Sequence, residues 1–129
     1  MQLYVWIIEP SLSHAIELER LCRKLEYITN HVPNFKMVIE MLATDSLPDI
    51  LIIDTNSVRE EQDLTRIKSL RNLRIPTVFI SNYGESSLHK FIPLHDYEAI
   101  LIKPLTSITI ESVFGLLLRS TSYINGTHL

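Results

Sequence analysis

Ile50-Leu51-Ile52-Ile53 is a run of four large apolar residues set between Pro48-Asp49 and Asp54. A short run without polar alternation fits a strand buried on both faces, the kind found at the centre of a parallel sheet. An acid has no place inside such a strand. Asp54 is therefore expected at its carboxyl end, where the backbone leaves the core. In open α/β sheets ligands bind along that edge, which makes Asp54 the leading candidate for chemistry.

The flanking sequence repeats the pattern. Leu3 to Ile8 is a second apolar run, β-branched and aromatic, closed by Glu9-Pro10. Ser11 or Ser13 can cap a helix from Leu12 to about Glu26, with Leu12, Ala15, Ile16, Leu18, Leu21, Cys22 and Leu25 at helical spacing. Tyr27 to His31 reads as a polar edge strand. Asn34 caps a short helix whose inner face is Phe35, Val38, Met41 and Leu42. Trp6, Met37 and Met41 are expected in the core.

After the central strand, Ser57-Val58-Arg59-Glu60 has the form of a capping box and opens a helix carrying Leu64, Ile67 and Leu70 inward. Ile75-Pro76 breaks before a fourth strand, Thr77 to Ile80, which ends at Ser81. Glu85 to Asp96 has helical spacing in Leu88, Phe91 and Ile92, and Pro93 predicts that this helix is short or distorted. Tyr83 and Tyr97 can report on the face of this helix, or be ordinary exposed loop tyrosines. Ala99 to Ile102 is a fifth strand, ending at Lys103-Pro104. A last helix begins near Thr106 or Ser107 and buries Ile110, Val113, Phe114 and Leu117, with Gly115 a local weakness. The domain is expected to span residues 1–121, with 122–129 a tail or the start of a linker. Five strands alternating with helices imply a parallel flavodoxin-like (βα)5 sheet in the order 2-1-3-4-5, with helices on both faces.

At 129 residues the chain is long enough for one core. Its composition, 46% hydrophobic and 21% charged, is that of a globular domain. A formal charge of −3 leaves no basic footprint for direct nucleic-acid binding. The single cysteine, Cys22, excludes an internal disulfide and fits a reduced, cytoplasmic setting. No apolar run reaches the roughly 20 residues a bilayer span requires, and no signal peptide is expected. The histidines His14, His31, His89, His95 and His128 show no metal-ligand spacing.

Four strand ends carry polar residues: Glu9, Asp54, Ser81 and Lys103. In a parallel sheet all four emerge on one rim. Two carboxylates can ligate a hard cation such as Mg²⁺. Asp54 can act as nucleophile, and Ser81 with Lys103 can bind phosphoryl oxygens as charge builds.

In these residues and their spacing, the sequence from about Leu3 to Arg119 resembles the receiver domain of two-component response regulators. The resemblance implies that Asp54 accepts phosphate from a histidine kinase or phosphotransfer protein. It further implies that Ser81 is the switch hydroxyl, that Lys103 contacts the phosphoryl group and that Lys103-Pro104 is cis. Glu9, Asp54 and the backbone carbonyl of Asn56 would form the metal site. A homodimer through the face of the fourth helix, fifth strand and last helix is a further implication. The protein would be no enzyme beyond self-phosphorylation and autodephosphorylation at Asp54, and it would have no membrane partner.

The departures from that family matter. Pro10 stands where its second acid would be, which weakens attraction for Mg²⁺. Val58 and Gln62 replace the usual proline and glycine. Asn82 follows the switch hydroxyl, and Ile100 sits at the aromatic switch position. An atypical receiver is expected. The alternative is a pseudo-receiver that binds a partner or dimerises without phosphorylation. Asp54-Thr55-Asn56 is loosely similar to the Asp-x-Asp motif of haloacid-dehalogenase-like phosphotransferases, but Asn56 lacks the second acid.

Overall fold

Successive side chains of a strand point to opposite faces, and here both faces are apolar. Val5 and Ile7 of β1 (Tyr4–Ile8), Ile50 and Ile52 of β3 (Ile50–Asp54), and Val78 and Ile80 of β4 (Thr77–Ser81) share one buried cluster. The alternate residues Trp6, Ile8, Leu51, Ile53 and Phe79 belong to a second. An unbroken apolar run is thus two half-cores in one strand. Full burial of each such side chain is worth about 1.5–3 kcal/mol.

The computed structural model describes residues 2–44, 46–82 and 94–126, with 120–126 described by backbone alone. The five parallel strands follow the order β2-β1-β3-β4-β5, with β2 at Ile28–Val32 and β5 at Glu98–Ile102. This is the flavodoxin-like order expected from the sequence. Helix α1 (Leu12–Lys24) and helix α4 (Ser107–Gly126) cover the first face, while α2 (Phe35–Thr44) and α3 (Glu61–Arg71) cover the second. The helix expected between β4 and β5 falls mostly on 83–93, outside the described residues, as does Tyr83. Residues 94–97 are loop and turn. Among the described residues no helix is long and apolar enough to cross a membrane.

Several local expectations are corrected. Strand β2 runs one residue later than predicted, because Val32 is the residue that buries its side chain. On α1 the buried stripe is Ala15, Leu18, Leu21 and Cys22, while Leu12 and Ile16 face solvent. Met37 is exposed too, although Trp6 is buried as expected. Of the two readings for Tyr97, an exposed loop position is excluded: it is buried, and its hydroxyl donates to the Arg71 carbonyl at 2.8 Å. Ile110, Val113, Phe114 and Leu117 are all buried, as the helical spacing predicts. Helix α4 continues to Gly126, past the residue where the sequence reading ends the domain.

Ser57 does not cap α3. It lies in a single 3₁₀ turn, Thr55–Ser57, and its buried hydroxyl donates to the Ile8 carbonyl at 2.9 Å. Helix α3 starts later, with Glu60 at the N-cap. There Asp63 Oδ2 accepts from the amides of Arg59 at 2.8 Å and Glu60 at 3.3 Å. At the other end of α1 the chain closes in a Schellman motif, with Glu26 N bonded to Arg23 O and Tyr27 N to Cys22 O. That motif requires a left-handed residue, here Glu26 at φ 64°.

Candidate functional site

The strand ends place the predicted residues on one rim. Glu9 follows β1 and is fully buried, its amide donating to the Val32 carbonyl at 3.2 Å. Asp54 ends β3 with 1% exposure. Its Oδ1 accepts from the Asn56 amide at 2.9 Å, so the carboxylate caps the 3₁₀ turn that follows it. Asn56 lies in that turn, which the Ser57 hydroxyl latches onto the end of β1. Position 54 is therefore gripped from the neighbouring strand as well as from its own.

Ser81 lies one residue beyond Ile80, the residue paired with Asp54 in the β3–β4 register. Its hydroxyl is buried and donates to the Asn82 carbonyl at 3.0 Å. The Ser81 carbonyl accepts from the Lys103 amide at 2.9 Å, which ties the ends of β4 and β5 together. Lys103-Pro104 is cis, as the resemblance implied. Lys103 Nζ reaches 2.9 Å from Asp54 Oδ2. This is a close ion pair to a carboxylate oxygen that is itself buried.

Two histidines that the sequence reading set aside hold Glu9 in place. His14 Nδ1 lies 3.0 Å from Glu9 Oε1, and His31 Nε2 donates to the Glu9 carbonyl at 2.6 Å. A signal for both was present. His14 falls one turn into the helix after Glu9, and His31 lies near the end of the strand predicted beside β1. Burial, with the Asp54 charge second, raises the Glu9 pKa above its ordinary value; His14 and Lys103 pull the other way.

The fit of a divalent cation rests on two buried carboxylate oxygens, Glu9 Oε2 and Asp54 Oδ2, of which Asp54 Oδ2 already has the Lys103 ammonium beside it. Mg²⁺ is commonly held by one or two carboxylates with water filling the remaining positions, so this donor set fits it. It is a lean set: among the described residues no three His, Cys, Asp or Glu side chains converge as ligands, and Pro10 offers none. Beside the rim, a cavity of about 330 Å³ opens between α1 and the β5–α4 loop and is bordered by His14 and Lys103.

No family model matches the sequence, and no curated protein matches it at a significant level. Solved structures do match the fold. The N-terminal domain of a response regulator/sensory box/GGDEF 3-domain protein from Carboxydothermus hydrogenoformans superposes with a TM-score of 0.76 at 16% identity, covering 92% of this chain and 96% of that one. The signal receiver domain of a signal transduction histidine kinase from Syntrophus aciditrophicus gives 0.73 at 22% identity, covering 90% of each chain. The chain has the receiver-domain fold. A response regulator receiver protein from Sinorhizobium medicae WSM419 extends the likeness, with a TM-score of 0.73 at 18% identity over 92% of this chain and 97% of that one. At such identities the receiver fold is what is shared, and the chemistry has to be argued from the rim residues themselves.

Proposed function

We propose that this receiver fold serves as a phosphoacceptor in two-component signalling, with Asp54 taking a phosphoryl group from a phosphohistidine. The observation that carries the reading is the approach of Lys103 Nζ to 2.9 Å from the buried carboxylate of Asp54. A carboxylate oxygen of Asp54 attacks phosphorus, the P–N bond breaks as the P–O bond forms, and the donor imidazole leaves. Lys103, already beside Oδ2, follows the transferred charge onto a phosphoryl oxygen. Ser81 exchanges its hydrogen bond to Asn82 for one to the phosphoryl group. When bound, a Mg²⁺ ion held by Asp54 and Glu9, with the Asn56 carbonyl and water, would neutralise phosphoryl charge. The donor is a histidine kinase or phosphotransfer protein in the same, cytoplasmic, compartment, and the unit is the domain expected over residues 1–121, extended by the last helix to Gly126.

The test is incubation with acetyl phosphate and Mg²⁺ followed by intact mass. One phosphoryl adduct is expected, absent from Asp54→Asn and retained in Ser69→Ala, on the exposed face of α3. A protein that stays unmodified, with no NMR response to beryllofluoride, rejects the proposal. That result would favour the second reading, a pseudo-receiver that binds a partner or a second copy without phosphorylation. Pro10 at the second-acid position and the commitment of Glu9 Oε1 to His14 are the observations behind it.

A further inference from the structure

The opposite rim, at the amino ends of β4 and β5, carries a second concentration of charge. The last turn of α3, the turn after it and the loop before β5 border an open recess of about 410 Å³. Among the described residues it is lined by Lys68, Arg71, Asn72, Arg74, His95 and Tyr97. None of these is acidic, in a chain whose net charge is −3. Two acids lie nearby: Asp96, exposed between His95 and Tyr97, and Glu98, which is already engaged. Glu98, with a side chain 1% exposed, holds Arg71 through two bonds of 2.8 and 3.0 Å and also accepts from the His95 amide at 2.9 Å.

That internal pairing makes a rigid floor for the groups above it. The Tyr97 hydroxyl donates to the Arg71 carbonyl, its ring lies 5.2 Å below the Arg74 guanidinium, and the His95 ring stacks on it with centroids 5.3 Å apart. Lys68 and Arg74 are exposed and make no ion pair among the described residues. Arg74 also adopts φ 56°, a left-handed conformation that a side chain with Cβ disfavours. The negative end of the α3 dipole accounts for Lys68 and Arg71 in its last turn. It does not account for Arg74, beyond the helix, or for His95, which arrives from another segment.

The geometry points to a binding site for a diphosphate-bearing small molecule, with Lys68, Arg74 and His95 on the phosphoryl oxygens and Asn72 beside them. Ammonium, guanidinium and imidazole donors suit phosphoryl oxygens, and the recess has the volume of a small-ligand site. A ligand with several charges matches several cations better than a monoanion does. The site lies on the rim away from Asp54 and does not depend on phosphorylation there.

The experiment is an NMR titration of the ¹⁵N-labelled protein with inorganic pyrophosphate and, separately, with ADP, at constant ionic strength in EDTA. Saturating shifts confined to residues 68–74 and 94–98 are expected. The double variant Lys68→Gln/Arg74→Gln should bind at least tenfold more weakly, while Arg20→Gln, on α1, should bind as the parent does. Tighter binding of ADP identifies a nucleotide as the ligand, and equal binding identifies the diphosphate group alone as what is recognised; either supports the site. Shifts that fail to saturate, that sulfate reproduces at equal ionic strength, or that survive in the double variant overturn it.

Discussion

Glu9 is a carboxyl group shut away from water, and its response to pH follows from that. Burial and the Asp54 charge raise its pKa above 4.5, so the folded protein holds this proton more tightly than the unfolded chain does. Its stabilising contribution is fully present below about pH 4.5, the unfolded value, and is lost as pH rises through the higher folded value. Glu9→Gln keeps the side chain neutral. Thermal melts in EDTA should show it more stable than the parent at pH 7, with the gain vanishing below pH 4.5. A lower Tm at pH 7 would mean that the His14 pairing outweighs burial. Lys103 presents the converse case. Truncating it strands the Asp54 carboxylate, so Lys103→Met should cost about 3 kcal/mol in urea unfolding. Adding Asp54→Asn should recover most of that loss; no recovery would show that Lys103 stabilises by packing alone. Cys22 is fully buried and its thiol is pushed up to about 12, chiefly by burial with a smaller push from Glu19. It should resist thiol reagents until the protein unfolds globally, and rapid labelling of the native state would refute this.

Elements are decided at their ends. The Schellman motif after α1 seats Glu26 at φ 64°, where a Cβ is disfavoured by about 1–2 kcal/mol. Glu26→Gly should therefore raise stability by about 1 kcal/mol in urea unfolding, and a loss would show that the Glu26 side chain matters more than its backbone. At the start of α3, Asp63→Ala removes the acceptor of two amides and should cost about 1–2 kcal/mol. The sequence marked a hydroxyl followed by Glu, Ser57 and Glu60, as the cap. That pattern was real as a string but misplaced in space, because Ser57 finds a better partner in the Ile8 carbonyl, forty-nine positions away. Contacts of such sequence separation leave no local signature. The same limit hid His31, whose partner lies on a neighbouring strand, whereas Asp54, Ser81 and Lys103 were legible because each directly terminates an apolar run.

For the whole molecule, the order of strands follows from the apolar runs of β1, β3 and β4, each buried on both faces and therefore central. Which helix residues turn inward was less legible. Leu12 and Ile16 fit a helical repeat as well as Ala15 and Leu18 do, and only docking onto the sheet chooses between the two stripes. Strand β5 has a single neighbour in the sheet, and Ile102 near its end is half open to solvent. From the next position Lys103 sends its backbone amide to β4 and its ammonium to Asp54. The negative charge at position 54 is therefore tied directly to the end of an edge strand. One residue thus joins a buried carboxylate to a margin that another molecule can touch.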